Sequence, residues 1–310
     1  METAGLQGKD IISASEFSRD FIDFVHKKTD QMMDLAQEEK AVLLKGKIIA
    51  LLFYEPSTRT RETFSLASIT LGAKTVGFDS SSASSDAKGE SLHDTIKIYE
   101  ANHSDAIVIR HPREGAAKLA AEATHVPVVN AGDGQNQHPS QALIDTYAIK
   151  RTQGKIDGLK IALVGDLKYG RAVHSLFQAL SQYACEIHLV SPQSLSMPRH
   201  ILGGGRHFSH ESLSETIKNI DLDIIYMTRV QKERFPDSME YMKVKGSYRL
   251  TSSMLMDVKE NLRILHPLPR IDEMEKDVDL SRHAAYFEQS SYGVPVRQAV
   301  LCSILGADYG

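Results

Sequence analysis

The sequence predicts an α/β protein of two Rossmann-like domains, each built on a parallel sheet, and three observations lead there. Apolar runs of strand length alternate with helix-period segments along almost the whole chain, the pattern of repeated strand–helix–strand units. The chain has 310 residues, which at about 150 residues per domain gives two. A break at Gly132-Asp133-Gly134 precedes Pro139, which is well placed as the first residue of a helix bridging the two halves.

The elements follow in order. Ser13 to Glu16 reads as a capping box, and Phe17, Phe21, Phe24 and Val25 then repeat at helical spacing. Ile48 to Tyr54 is a strand, followed by Pro56-Ser57 and a helix with Phe64, Ala67 and Leu71 on one face, stopped at Gly72. Further strands are predicted over Ala106 to Arg110, Pro127 to Asn130, Ile161 to Val164, Ile187 to Ser191, Leu222 to Thr228 and Ile264 to Leu268. The Pro139 helix carries Leu143, Ile144 and Tyr147 on one face and ends near Gly154. Asp79 to Glu90, with five serines and no periodicity, is expected to be a mobile loop, and Val230 to Leu250 is long and polar around Pro236.

Composition narrows the function. Lysine and arginine total 36 against 40 acidic residues, for a net charge of −4, so there is no basic field for broad nucleic-acid binding. Two cysteines, Cys185 and Cys302, make neither a disulfide framework nor a four-ligand zinc site. No apolar run approaches a membrane span and the N-terminus lacks a signal peptide's pattern, so a soluble cytoplasmic protein is expected.

Chemistry-bearing residues fall at strand ends. Ser57-Thr58-Arg59-Thr60-Arg61 lies between a strand and a helix, where unpaired N–H groups and the dipole suit an anion. A capped helix with solvated arginines accounts for the same residues equally well. Arg110-His111-Pro112 and His138-Pro139-Ser140-Gln141 also follow strands, as do Gly165 to Arg171, Thr228 to Arg234 and His266-Pro267-Leu268-Pro269-Arg270. Gly165 to Arg171 lacks the dinucleotide-binding glycine spacing, and no Walker A loop, serine nucleophile elbow or H-E-x-x-H motif is present. No cofactor and no metal are expected. Cations with amide and hydroxyl donors at strand ends suit a small polyanionic substrate handled by positioning and charge stabilisation.

Five motifs in order, Phe53 to Arg61, His138 to Gln141, Val164 to Arg171, Met227 to Arg234 and His266 to Arg270, resemble those of the catalytic chains of aspartate carbamoyltransferases, with a likeness running from about residue 8 to the C-terminus. Ornithine carbamoyltransferases share the first two motifs, but carry Cys-Leu-Pro where this chain has Pro267-Leu268-Pro269 and lack an Arg229-Val230-Gln231 pattern.

The resemblance implies transfer of the carbamoyl group of carbamoyl phosphate to L-aspartate, giving N-carbamoyl-L-aspartate and phosphate, the committed step of pyrimidine biosynthesis. Ser57, Thr58, Arg59 and Thr60 would hold the phosphate. Thr60, Arg110 and His138 would surround the carbamoyl oxygen and Gln141 the carbamoyl nitrogen, with the Pro267 and Leu268 backbone completing the wall. Arg171, Arg229 and Gln231 would take the aspartate carboxylates. Lys88 and Ser84 match residues supplied by the neighbouring subunit of a homotrimer, and Lys88 would touch both substrates. Glu55, Arg171 and Arg234 match a charge network of domain closure. Five cations, Arg59, Lys88, Arg110, Arg171 and Arg229, would then face about four substrate charges. The implied domains are 1–135 for carbamoyl phosphate, completed by a C-terminal helix over 292–310, and 136–291 for aspartate, including the linker helix. Relatives work as bare trimers or as dodecamers with regulatory chains, and His111 to Gly115 lies where the regulated type is contacted; this choice stays open. A nicotinamide oxidoreductase or an inactive scaffold would share the alternation of elements, but the first lacks its fingerprint here and the second would be expected to lose some of the cations.

Overall fold

The computed structural model describes residues 5–80, 89–203, 206–230, 237, 239, 242, 244 and 248–309. The chain forms two units, Met1–Leu143 with Tyr292–Gly310, and Ile144–Ser291. The division falls inside the predicted bridging helix, which spans Pro139–Gln153 and begins at the proline as expected.

The first unit holds a parallel four-stranded sheet of β1 (Ile48–Phe53), β2 (Lys74–Phe78), β3 (Ala106–His111) and β4 (Val128–Asp133), in the order β2-β1-β3-β4. Parallel strands covered on both faces need continuous apolar runs, and five of the six β1 residues are buried. Its helices are α1 (Arg19–Asp34), α2 (Gln37–Leu43), α3 (Thr58–Thr70), α4 (Leu92–Ala101) and α5 (Ala116–Glu122). Helix α3 stops at Gly72, whose φ of +82° would put a Cβ 2.1 Å from the Ala41 carbonyl oxygen. Only glycine fits there. The C-terminal helix Gly293–Leu305 returns to this unit and packs against α1 and α3. Arg297 hydrogen-bonds Thr63 and lies over the Phe64 ring, and Gln298 Nε2 donates to Thr70 Oγ1 at 2.7 Å.

After the bridging helix, α6, the second unit holds a parallel five-stranded sheet. Its strands are β5 (Lys160–Val164), β6 (Glu186–Val190), β7 (His207–His210), β8 (Ile224–Met227) and β9 (Arg263–Leu265), in the order β7-β6-β5-β8-β9. Helices α7 (Arg171–Leu180), α8 (Arg199–Leu202), α9 (Leu213–Asn219) and a last one over Tyr286–Ser291 accompany it. Ala162, Val164, Ile225, Met227 and Ile264 centre its core.

The α/β expectation holds in both units, with three local departures. Strands β2 and β7 are not predicted by the sequence: both are sheet edges, with three of five and two of four residues exposed, and neither carries an apolar run. Ser13 caps a single 3-10 turn, Ala14–Glu16, and the first α-helix starts only at Arg19, where Ser18 Oγ accepts from the Phe21 N–H at 3.2 Å. Finally, β9 ends at Leu265, and residues 266–268 leave the sheet at Pro267, which has no N–H to give a ladder. Among the described residues no helix is long and apolar enough to cross a membrane.

Candidate active site

In an open parallel sheet, ligands bind outside the carboxyl ends of the strands where the winding direction reverses. In the first unit that point lies between β1 and β3, and in the second between β5 and β8. The end of β3 itself carries Arg110, and the segments that follow β1, β5 and β8 contain Ser57 to Thr60, Arg171 and Arg229.

In the first unit, register puts Phe53 opposite Arg110, and the Tyr54 N–H donates to the Arg110 carbonyl at 2.8 Å. This sets Arg110 beside the segment entering α3. The Arg110 guanidinium donates to Glu55 Oε1 at 2.8 Å, and both groups are partly buried. Glu55, expected in a closure network with Arg171 and Arg234, thus engages Arg110 within its own unit. Ser57 sits at the N-cap of α3, but its side chain makes no capping bond. The serines at three other helix starts, Ser18, Ser91 and Ser212, each accept from a backbone N–H of the first turn. The first helical bond of α3 runs from Arg61 N–H to Ser57 O, so the N–H groups of Thr58, Arg59 and Thr60 precede it. No acidic residue occupies this first turn. The positive end of the helix, worth about half an elementary charge, therefore faces outward with hydroxyl and N–H donors around it. Arg61 turns to its neighbour Glu62 at 3.1 Å, Arg59 is exposed, and Thr60 is buried.

His138 and Gln141 are placed by a buried polar loop. Asn130 Nδ2 donates to Ile12 O and to Asp133 Oδ1, both at 2.9 Å. The same carboxylate accepts from the Gly115, Asn136 and Gln137 donors at 2.8–3.1 Å. Gly134 N–H reaches His111 O at 2.9 Å, tying the loop to the end of β3. The loop delivers His138, 6% exposed, to the start of α6, with Ser140 Oγ 3.4 Å from its Nδ1. Gln141 follows on the first turn, its N–H donating to His138 O at 3.0 Å. Sequence reasoning names Asn130 only as a strand end and Gly132 to Gly134 only as a break; the signal they hold is a buried Asn and Asp pair with too many donors nearby to be a solvated turn.

In the second unit, Gly165 ends β5 at a φ of +111°, packed directly on Thr228. Tyr169 N–H donates to Asp166 Oδ1 at 2.9 Å and His174 Nε2 contacts Leu167 O at 2.8 Å, fixing the turn that brings Arg171 to the first position of α7. Arg171 is 7% exposed. Thr228 N–H and Oγ1 both donate to Val164 O at 2.8 Å, so Arg229 emerges next to the end of β5. Pro267 and Leu268 lie in the loop after β9, the strand beside β8. Ser84, Lys88, Gln231 and Arg234 lie outside the described residues. Among the described residues, no three His, Cys, Asp or Glu side chains are grouped so as to hold a metal ion.

Known proteins match both halves. Residues 9–151 match the family described as aspartate/ornithine carbamoyltransferase, carbamoyl-P binding domain, and residues 157–304 its Asp/Orn binding domain. The aspartate carbamoyltransferase catalytic subunit of Thermococcus gammatolerans is 52% identical over 303 residues, covering 96% of this chain and 98% of that protein. The same subunit of Archaeoglobus fulgidus is 48% identical over 297 residues, covering 95% and 98%. Among solved structures, the M. jannaschii aspartate transcarbamoylase catalytic subunit superposes with a TM-score of 0.86 at 46% identity, covering 97% and 99% of the two chains. Aspartate transcarbamoylase from Trypanosoma cruzi, in complex with carbamoyl phosphate and aspartate, gives a TM-score of 0.89 at 38% identity over 98% of each. With both domains matched and full-length relatives near half identity, the chain belongs to the aspartate/ornithine carbamoyltransferase family.

Proposed function

We propose that the chain is the catalytic subunit of an aspartate carbamoyltransferase, transferring the carbamoyl group of carbamoyl phosphate to L-aspartate in pyrimidine biosynthesis. The observation that carries this reading is Ser57: an N-cap serine that leaves the first turn of α3 uncapped, at the winding reversal of the sheet and beside Arg110. That is an anion cradle, and the five motifs supply the rest. Relatives solved with carbamoyl phosphate, aspartate or N-(phosphonacetyl)-L-aspartate support the choice of substrates.

In this reading Ser57, Thr58, Arg59 and Thr60 bind the phosphate, Arg171, Arg229 and Gln231 bind the aspartate carboxylates, and Gln141 with the Pro267 and Leu268 backbone orients the carbamoyl group. The deprotonated amine attacks the carbonyl carbon, forming the C–N bond and a tetrahedral oxyanion. Thr60, Arg110 and His138 donate to that oxygen, and such prepositioned donors are each worth about 3 kcal/mol in the transition state. The carbon–oxygen bond to phosphate then breaks, and phosphate leaves with the amine proton. Lys88 and Ser84 come from the neighbouring chain of a homotrimer, and the enzyme acts in the cytoplasm. Choice of aspartate over ornithine rests on Arg229-Val230-Gln231 and Pro267-Leu268-Pro269. A colorimetric assay for carbamoylated product with each amino acid, without added metal, tests this: product from aspartate alone is expected, and preference for ornithine would overturn it.

A further inference from the structure

A chain of buried hydrogen bonds in the second unit ends on Leu268. Tyr226 Oη donates to Asp145 Oδ2 at 2.7 Å, and Gln289 Nε2 donates to Asp145 Oδ1 at 2.6 Å. The His266 N–H donates to Gln289 Oε1 at 2.8 Å. The His266 ring then makes two bonds of its own. Leu268 N–H lies 2.7 Å from Nδ1, and because an amide can only donate, Nδ1 must be the bare nitrogen. The ring hydrogen is therefore on Nε2, which donates to Glu273 Oε1 at 2.6 Å. Glu273 Oε2 accepts in turn from the N–H groups of Ile271 and Asp272 at 3.0 and 3.1 Å. All five side chains, from Tyr226 to Glu273, are at most 4% exposed.

The backbone that this chain reaches is unusual. Leu268 has a φ of +51°, a left-handed conformation that a bulky residue rarely adopts without compensation. Its N–H bond to His266 is such a compensation. Pro267 and Leu268 are the wall residues of the proposed site, while His266, Gln289, Asp145 and Glu273 have no role there.

We propose that His266 is a positioning residue, whose neutral Nε2–H tautomer, set by Glu273 and seated by Gln289 and Asp145, holds Leu268 left-handed and so shapes the substrate-facing backbone of residues 267–268. This rests on the function proposed above.

Two substitutions separate positioning from packing. His266→Asn keeps an acceptor close to where Nδ1 stands but loses Glu273; His266→Leu keeps bulk and has no acceptor. Steady-state kinetics with both substrates, calorimetric binding of inorganic phosphate, and crystal structures of parent and variants are compared. His266→Leu is expected to lose about a hundredfold in kcat/KM for aspartate, the scale of a misplacement near 1 Å, with phosphate binding unchanged and Leu268 out of the left-handed region. His266→Asn is expected to stay within about tenfold, with Leu268 left-handed. If His266→Leu does not fold, Gln289→Met removes the acceptor for the His266 N–H and should reproduce the kinetic loss in weaker form. Activity within threefold of the parent for His266→Leu, equal losses in both His266 variants, or a left-handed Leu268 without the acceptor would each overturn the proposal. A parent protein that makes no carbamoyl aspartate would instead sink the proposed function, and the Leu268 conformation would still decide the role of His266.

Discussion

Replacing Gly165 with alanine tests the role proposed for the second unit without touching any charged group. An added Cβ would stand 2.3 Å from the Thr228 carbonyl oxygen and 2.8 Å from its Oγ1, whereas real Cβ atoms essentially never come within 3.0 Å of a neighbour. The carbonyl must therefore retreat by 3.0 − 2.3 = 0.7 Å or more. It belongs to the residue that bonds Val164 O through both its N–H and hydroxyl, so β8 cannot slide away without losing those bonds. The φ of +111° adds strain of about 1–3 kcal/mol for any side chain. Together a destabilisation of about 3 kcal/mol is expected, which for a unit of this size lowers Tm by roughly 6–12 °C. Because Arg229 follows Thr228 directly, kcat/KM for aspartate should fall by roughly ten- to a hundredfold, while inorganic phosphate binding in the first unit stays unchanged. Calorimetry and initial rates on the same preparation decide it. A Tm within 2 °C of the parent, about half a kcal/mol, together with unaltered aspartate kinetics, would refute the reasoning.

Arg59→Ala should abolish turnover, a loss of about 3 kcal/mol or more in transition-state stabilisation, with an unchanged melting profile; near-parental activity would remove Arg59 from the site. If Lys88 crosses a subunit boundary, Lys88→Ala and Arg59→Ala trimers should each be nearly inactive, and reassociated equal mixtures should regain about one quarter of parental activity, since an intact interface needs one ordered pairing of the two variants. No recovery, with exchange confirmed by mass spectrometry, would place Lys88 within its own chain. Burial holds the His266 ring below the ordinary histidine range, with Arg270 and Arg229 adding to this and Glu273 opposing it. Its contribution to stability is therefore complete above the unfolded value near 6.5 and is lost as pH falls through the lower folded value. Burial alone would raise the Glu273 carboxyl, but the His266 and backbone donors hold it below the usual range, so its share is lost only in more acid solution. Tm should fall as pH drops below about 6.5, with a slope that His266→Asn reduces; identical slopes would count against a neutral His266. Burial pushes the Cys302 thiol up to about 12, so a disulfide reagent at pH 8 should not titrate it until the protein is denatured, and its rapid reaction in the folded protein would contradict that burial; Cys185, half-buried and also pushed up to about 12, should react first.

The central strands were legible because parallel sheets bury them on both faces: β1 throughout and β3 over its first four residues are unbroken apolar runs. The edges β2 and β7 were not, since Lys74, Thr75 and Gly77 or His207, Ser209 and His210 interrupt any apolar run, and each edge strand has a sheet neighbour on one side only. The residues of the proposed site could be found as motifs, because Ser57 to Arg61 and Gly165 to Arg171 are contiguous segments. Asp145, Tyr226, His266, Glu273 and Gln289 form their hydrogen-bond chain from segments up to 144 positions apart. Nothing local marks Asp145 or Gln289 as buried, and the helical period of α6 is equally content with an exposed aspartate.

The return of the C-terminal helix to the first unit sets an order of events during synthesis. A ribosome finishes residues 144–291 before it reaches Gly293–Leu305. Until those last residues emerge, α1 and α3 lack the helix that covers them, and Phe64 lacks the Arg297 guanidinium above its ring. The nascent chain thus carries a complete second unit beside an unfinished first one, with an apolar face open to chaperones or to aggregation. The helix presenting Ser57 to Thr60 is secured through Thr63 and Thr70 by Arg297 and Gln298, which are made only after the whole second unit. A message truncated just before codon 293 would leave the first unit without the helix that closes its core.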